Sequence, residues 1–200
     1  MKKLLTTVLV LFLALQSFAQ LTYFNRTGEG YAIGGAFSGT KINGFVSDSY
    51  SVVASERVSR MASVGIQFTS SSVQYGYSRS SASAFIPTLT LQAPNDSLLG
   101  IAGHLGYVNS KLTNDIPTLL IGLEVYKRFN SSGTTQIIPT AGFNQSILLK
   151  KNYSDPKPVF NFGINIAFKF SRRGYLVLGP GLSLSGDQTI PGIQGGFVWD

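Results

Sequence analysis

Apolar and polar residues alternate along most of the chain, most clearly from 159 to 170. Phenylalanine or isoleucine stands at every even position from 160 to 170, and mostly small or polar residues stand between them. Since successive side chains of a β-strand point to opposite faces, this pattern predicts a strand with one wholly apolar face. The same period recurs at 117 to 129 and 174 to 185. No stretch has helical spacing over a useful length, so the pattern predicts an all-β protein.

The face opposite the apolar row separates a membrane barrel from a water-soluble one. In a soluble barrel the inner face is large and apolar, and the outer face carries many charges. Here the second face carries glycine, alanine, asparagine, serine and single charges. This favours strands whose apolar row touches lipid and whose small, polar row fills a narrow lumen. A soluble periplasmic barrel is the alternative that alternation alone leaves open.

Counting the alternating stretches predicts ten antiparallel strands. The predicted bounds are 30 to 38, 58 to 69, 73 to 79, 83 to 92, 98 to 109, 117 to 129, 134 to 147, 157 to 170, 174 to 185 and 190 to 199. Residues 50 to 54 are compatible with a strand or a loop, and eight strands result if the hairpin from 58 to 79 lies outside the barrel. We therefore expect an up-and-down transmembrane β-barrel of eight to ten strands.

The connections between strands support a barrel with two different ends. Residues 129 to 133 and 170 to 174 each read as an aromatic, three polar residues and a glycine, which is hairpin chemistry. Longer connections at 109 to 116 and 146 to 157 alternate with them, as short periplasmic turns alternate with longer outer loops. If the last strand ends at the periplasmic rim, five aromatic residues form a girdle at that membrane interface: Phe129, Phe168, Phe170, Phe197 and Trp199.

The first 19 residues have the order of a secretory signal peptide. Lys2 and Lys3 precede an apolar run from 4 to 15, and small residues follow at Ser17 and Ala19. We expect cleavage before Gln20, an N-terminal segment from 20 to 29 and a barrel from 30 to 200. Only 12% of the residues are charged, half of the roughly 25% in ordinary soluble domains. The absence of cysteine excludes disulfides, thiolate zinc sites and iron–sulfur clusters.

The charge pattern does not predict a nucleic-acid partner. After removal of the signal peptide the chain keeps 14 basic and 9 acidic residues, and no basic run exceeds two residues. Glycine-rich stretches such as 28 to 35 lack the following helix and the lysine of a phosphate-binding loop, so no nucleotide or other cofactor is expected.

The inward faces of the strands hold ionisable and amide side chains that are candidates for a functional site. These residues are His104, Glu124, Arg128, Asn144, Asn161, Asn165, Lys169 and Gln194. A carboxylate in a narrow lumen needs a cationic partner, so we expect Glu124 to pair with Arg128 or Lys169 within a polar plug. The same residues would serve as a charged constriction in a solute channel. One histidine with scattered carboxylates predicts no metal site.

His104 does not have the setting of a catalytic base. An outer-membrane lipid-modifying enzyme would need this histidine beside a serine on the lipid-facing surface. By alternation His104 faces the lumen with Ala102 and Gly106, and its neighbours in sequence include no serine. We therefore expect a hydrogen-bonded lumenal histidine and no catalytic residues.

Several segments resemble a known class of proteins. The signal ends in Ser-Phe-Ala-Gln, the first strand from Gly30 to Phe37 is rich in glycine, and a serine-rich passage leads to Ile86-Pro87-Thr88-Leu89. Together with the successive hairpins, they resemble small bacterial outer-membrane β-barrel proteins of the OmpA/OmpX-like, porin-family type. The resemblance implies this fold and location, and it implies little about activity.

We expect a monomeric, non-enzymatic barrel embedded in outer-membrane lipid, with a structural or surface-interaction role. The outer loops 110 to 116 and 148 to 157 carry Lys111, Lys150, Lys151, Tyr153 and Lys157, and they are the expected contacts for a surface polysaccharide or another envelope protein. A narrow channel for small solutes and a lipid-modifying enzyme are the alternatives. A lysine should cost far more at Ile164, on the lipid face, than at Asn165, on the lumen face.

Overall fold

The computed structural model describes residues 31–42, 45–59, 61–75, 77–92, 99–109, 116–130, 133–150, 155, 157–186 and 188–199. The strands within these residues are β1 Tyr31–Ile42, β2 Phe45–Arg57, β3 Ala62–Tyr75, β4 Ser78–Gln92, β5 Gly100–Val108, β6 Thr118–Tyr126, β7 Phe129–Asn130, β8 Thr135–Leu148, β9 Val159–Lys169, β10 Gly174–Ser185 and β11 Gln188–Trp199. The two-residue β7 follows β6 after a break and pairs with β8, as β6 does. The wall therefore has ten strands.

The wall closes on itself. Every strand pairs antiparallel with its sequence neighbour, taking β6 and β7 together, and β1 pairs with β11 so that Ile33 lies opposite Trp199. This confirms the predicted all-β, antiparallel up-and-down barrel. No helix that could cross a bilayer is found among the residues that the structure describes. The predicted signal peptide (1 to 19) and N-terminal segment (20 to 29) lie outside the described residues.

The predicted number of ten strands is right, but one predicted strand lies in a turn and β2 is missing from the prediction. The predicted strand 73 to 79 is wrong, because Tyr75 pairs with Ser78 in the turn that joins β3 to β4. The undecided region around 50 to 54 lies inside β2, and Val58 lies between β2 and β3. The eight-strand alternative is also wrong, since β3 pairs with both β2 and β4 within the wall.

The predicted inside and outside of the strands are confirmed. On β9 the outward row is exposed, with Ile164 at 53%, whereas Asn165 and Ala167 are fully buried. The same alternation of exposed and buried residues follows β5, β6 and β10. The exterior therefore carries a continuous apolar surface, which suits hydrocarbon, and the small and polar residues fill the lumen.

The outer surface of the β3–β4 hairpin changes from apolar to polar along its length. Phe68 and Phe85 lie on one rung, with ring centroids 4.9 Å apart. On the next rung the Ser83 hydroxyl donates to the Ser70 hydroxyl at 3.0 Å, and farther along Arg79 donates to Ser72 at 3.1 Å. The apolar exterior ends at the Phe68–Phe85 rung, so the hairpin continues from the membrane-facing part of the wall into a polar environment.

The barrel has two different ends. We call the end where β1 begins and β11 ends the terminal rim, and the opposite end the far rim. The connections of nine and ten residues between β5 and β6 and between β8 and β9 lie at the far rim, as expected, although 146 to 148 belong to β8. The other far-rim connections have two residues each, so the simple contrast of short and long loops is wrong there. The far rim is extended instead by the projecting β3–β4 hairpin.

The glycines on either side of Pro180 in β10 differ in the space around them. A Cβ built on Gly179 would collide with the Ile164 carbonyl oxygen and would lie 2.9 Å from the Asn165 Cα. A Cβ on Gly181 would meet only the Phe162 carbonyl oxygen, at 3.5 Å. We expect Gly179→Ala to lower the free energy of unfolding by about 1–3 kcal/mol, because the backbone of β9 must move.

The matched control is Gly181→Ala, for which we expect a change below about 0.5 kcal/mol. Urea unfolding of both variants in lipid vesicles, followed by the fluorescence of the single tryptophan, Trp199, measures the difference. Equal effects at the two positions would contradict the close approach of β9 and β10 at Gly179.

Candidate functional site: the barrel lumen

A cavity of about 40 Å³ lies in the middle of the lumen. Its polar lining comes from five strands and consists of His104, Glu124, Thr140, Asn144, Asn161 and Gln194. A polar cavity of this size holds a small group of water molecules. Five of the eight predicted lumen residues therefore lie around one cavity.

His104 lies at the cavity beside a glycine of the neighbouring strand, and that glycine leaves room for Asn144. His104 is opposite Gly122 on the neighbouring strand β6, and a Cβ on Gly122 would lie 2.5 Å from the Asn144 amide oxygen. His104 Nδ1 lies 3.3 Å from the Thr90 hydroxyl, and its Nε2 lies 4.0 Å from the Glu124 carboxylate. The histidine thus connects β4, β5 and β6 across the lumen wall, as a lumenal hydrogen-bonding residue would.

Glu124 is buried, with 8% of its surface exposed, and its carboxylate lies 4.0 Å from His104 Nε2. Its pairing with Arg128 or Lys169 stays a prediction. The cations predicted as its partners lie nearer the terminal rim. The Arg128 guanidinium lies 5.7 Å from the Tyr126 ring centroid, and Lys169 Nζ lies 5.9 Å from that of Tyr175. Lys169 is exposed, so it lies at the mouth of the lumen and outside the cavity lining.

Amide and hydroxyl groups join β9, β10 and β11 on the other side of the cavity. The Gln194 amide donates to Asn165 at 2.8 Å, and the Ser183 hydroxyl donates to Asn161 at 2.9 Å. Asn165 is fully buried. A lysine at this position would have to fit among the side chains of the lumen. That it costs less than a lysine at Ile164 stays a prediction.

A second polar cluster, on β2 and β3, was not predicted from the sequence. Ser49 and Ser71 lie 2.8 Å apart, and Ser51 and Thr69 lie 3.0 Å apart, each pair joined through the hydroxyls. The buried Gln67 amide donates to both Ser51 and Thr69, at 3.1 and 2.6 Å. The signal in the sequence is the serine at positions 47, 49 and 51, which lie on one face of β2.

An apolar layer crosses the lumen between the cavity and the terminal rim. It consists of Val53, Ala102, Tyr126, Ile138, Ala167, Tyr175, Val177 and Val198, each no more than 8% exposed. Tyr126 is the last residue of β6 and Tyr175 the second of β10, which places both rings close to the rim. Packed side chains therefore fill this part of the lumen.

The five predicted girdle residues all lie at the terminal rim and face outward. Their exposed fractions run from 43% for Phe168 to 57% for Phe170. The Phe170 and Trp199 rings lie 5.9 Å apart, and Leu176 of β10 pairs with both Phe168 and Phe197. That these rings meet a membrane interface stays a prediction.

Two further expectations concern a metal site and the basic residues of the far-rim loops. No group of three or more histidine, aspartate or glutamate side chains that could hold a metal is found in the described part of the chain. Of the far-rim loop residues, Lys150 and Lys157 are exposed, whereas Lys111, Lys151 and Tyr153 lie outside the described residues.

Known proteins resemble the chain in structure but not in sequence. No family model matches it, and no curated protein is significantly similar. The translocator domain of the autotransporter NalP from Neisseria meningitidis has a TM-score of 0.55 at 8% identity, covering 94% of this chain and 95% of that one. An outer-membrane channel from Pseudomonas putida F1 has a TM-score of 0.51 at 8% identity, covering 88% and 97%. The β domain of the Bordetella autotransporter BrkA has a TM-score of 0.50 at 9% identity, covering 86% and 99%. The chain thus has the β-barrel fold of bacterial outer-membrane proteins.

Proposed function

We propose that the protein is an integral outer-membrane barrel that does not conduct solutes and acts through its surface, in a structural or interaction-bearing role. We place it among small barrels of the OmpA/OmpX-like, porin-family type, as a monomer. The apolar exterior supports the membrane location, because exposed rows of phenylalanine, isoleucine and leucine are suited to hydrocarbon.

The observation that carries the non-conducting role is the filling of the lumen. Toward the terminal rim the apolar layer joins eight buried side chains from β2, β5, β6, β8, β9, β10 and β11. In the middle, the polar side chains leave a cavity of about 40 Å³. A solute would have to displace both the apolar packing and the hydrogen bonds around the cavity.

The proposal includes an orientation in which the terminal rim faces the periplasm. The far rim carries the two longest connections and the projecting β3–β4 hairpin, and outer-membrane barrels have their longer features outside the cell. Both ends of the barrel wall, Tyr31 and Trp199, then remain on the side from which an exported chain arrives.

The second candidate is a narrow channel for small solutes, which the polar cavity lining favours. Planar-bilayer recordings of the refolded protein separate the two functions. We expect no discrete conductance steps, after heat-modifiable gel mobility has shown that the barrel is folded and inserted. Steps from the unaltered protein would support the channel and contradict the closed lumen.

The third candidate is a lipid-modifying enzyme, and we propose that the barrel lacks this activity. His104 is buried inside the wall beside Thr90 and Glu124, whereas a lipid substrate would meet the outer surface. We expect His104→Leu to leave the lipid A of cells expressing the protein unchanged. Mass spectrometry of extracted lipid A, from cells with the original chain, the variant or neither, measures this. A modification present with the original chain and lost with the variant would contradict the proposal.

For the surface role we propose a surface polysaccharide or another envelope protein as the partner at the far rim. Lys150 and Lys157 are exposed there, in the same loop as the exposed Asp155, and they offer two cations to an acidic polysaccharide. We expect glutamine at both positions to reduce the binding of an acidic polysaccharide to the barrel. Unchanged binding would remove the support for a polysaccharide partner.

A further inference from the structure

Four basic side chains form a cationic arc at the terminal rim: Lys127, Lys169, Arg172 and Arg173. Lys127 and Lys169 flank β8 on its two sides, because the Lys127 amide donates to the Pro139 carbonyl at 3.2 Å and the Lys169 amide donates to the Thr134 carbonyl at 2.7 Å. The turn from 170 to 173 is closed by the Phe170 amide, which donates to the Gly174 carbonyl at 3.0 Å. With three strand spacings between β7 and β10, the arc is roughly 15 Å wide.

No acidic residue lies on β7, β8, β9 or β10, and Glu124 of β6 is buried in the lumen. The sequence contains no aspartate or glutamate from 125 to 154 or from 156 to 186. Among the described residues of this rim, the acidic side chain is Glu56 of β2, three strands away from β10. Lys169, Arg172 and Arg173 are exposed and Lys127 is half-buried, so the positive charge faces the surroundings of the barrel.

The cations lie at the depth where the apolar exterior ends. Lys127 Nζ lies 5.1 Å from the ring centroid of Phe129, which is exposed and faces outward. Phe170, directly after Lys169, contacts Trp199 on the same outer surface. Lysine and arginine beside aromatic residues at the edge of an apolar surface stand at the level of lipid headgroups. Charge and depth together therefore fit the phosphate of a membrane lipid.

We propose that the cationic arc binds the headgroups of anionic phospholipids in the leaflet that surrounds the terminal rim. This inference rests on the proposed function, since it requires the barrel to be inserted in a bilayer. One basic side chain beside an anionic headgroup favours that lipid over a zwitterionic one by about fivefold, and each boundary headgroup along the arc meets about one of the four cations. The arc thus selects phosphatidylglycerol over a zwitterionic lipid and fixes the depth of this side of the barrel.

Electron spin resonance with spin-labelled lipids tests the selection in the full mature chain. The protein is reconstituted in phosphatidylcholine, and the boundary association of labelled phosphatidylglycerol is compared with that of labelled phosphatidylcholine. The variant K127Q/K169Q/R172Q/R173Q removes the arc. The matched control, R79Q/K150Q/K157Q, removes exposed cations at the far rim. Heat-modifiable gel mobility in pure phosphatidylcholine checks insertion separately.

For the unaltered protein and the far-rim variant we expect about a fivefold preference for phosphatidylglycerol at about 0.1 M salt, falling strongly at about 1 M salt. For the arc variant we expect the preference to fall below about twofold. Equal association of both lipids in an inserted, unaltered barrel would overturn the inference and leave the proposed function intact. Displacement of the labelled phosphatidylglycerol by inorganic phosphate or by lipopolysaccharide at equal concentration would also overturn it. Failure to insert would instead count against the proposed function.

Discussion

Replacing Ile164 by lysine is expected to destabilise the folded barrel in a bilayer by about 2–4 kcal/mol. Ile164 lies in the middle of the outward row of β9, between Phe162 and Ile166, and 53% of its surface is exposed. A lysine there would not collide with neighbouring side chains, so the expected cost comes from placing a charge in hydrocarbon. Urea unfolding from lipid vesicles, followed by Trp199 fluorescence, measures this cost.

The control for depth is Leu184→Lys, near the far rim. Leu184 pairs with Phe160 at the end of the outward row of β9, and we expect a cost of only about 0–1 kcal/mol because a lysine at this depth reaches the interface. The soluble-barrel alternative predicts a different result. In water, a lysine at a half-exposed position changes stability by about 0.5 kcal/mol or less. Small and equal costs at Ile164 and Leu184 would therefore contradict the membrane location.

Alternation predicted the fold well wherever the two faces of a strand differ strongly in size and polarity. In β9, phenylalanine and isoleucine face outward, whereas Asn161, Gly163 and Asn165 face inward. Such a strand cannot slip by one residue without exchanging lipid and lumen for every side chain. The inside and outside of β6, β9 and β10 could therefore be predicted from the sequence alone.

The same argument failed for β2 and for the turn between β3 and β4, where the contrast between faces is lost. In the far-rim half of this hairpin both faces are polar, as Ser70 and Ser72 outside and Ser71 inside show. The apolar outer row stops at Phe68 and Phe85, while the hydrogen-bonded ladder continues to Tyr75. The apolar pattern marks the membrane-facing part of a strand, and β3 is longer than that part.

The sequence predicts which side chains face the lumen, but it does not predict which residues of neighbouring strands lie beside them. The alternation of positions along each strand places His104 and Glu124 inward. Their contact depends on the register of β5 against β6, in which Ala102 lies opposite Glu124 and His104 lies opposite Gly122. Spacing along one strand suggested Arg128 as the partner of Glu124. The neighbouring strand also brings His104 within 4.0 Å of Glu124, because adjacent strands lie only about 5 Å apart. The pairing of Glu124 with Arg128 stays a prediction.

The apolar layer gives the second large expected effect. We expect the double variant Tyr126→Ala, Tyr175→Ala to show discrete conductance steps in planar bilayers, whereas the unaltered protein stays silent. Both rings are buried near the terminal rim and belong to one apolar cluster. Their removal leaves small or aliphatic side chains around the lumen and opens space large enough for water beside the existing cavity. A hydrated path is what ion passage through an apolar constriction requires.

The matched control is Tyr107→Ala, which removes a tyrosine of the same size from the outer surface, where Tyr107 is 42% exposed. We expect this variant to stay silent, because its ring does not fill the lumen. Heat-modifiable gel mobility shows whether each variant is folded, so that an absence of conductance steps is interpreted only for a folded barrel. A folded double variant that stays silent would mean that the polar groups around His104 and Gln67 suffice to close the lumen. The apolar layer would then stabilise the barrel without being its barrier to ions.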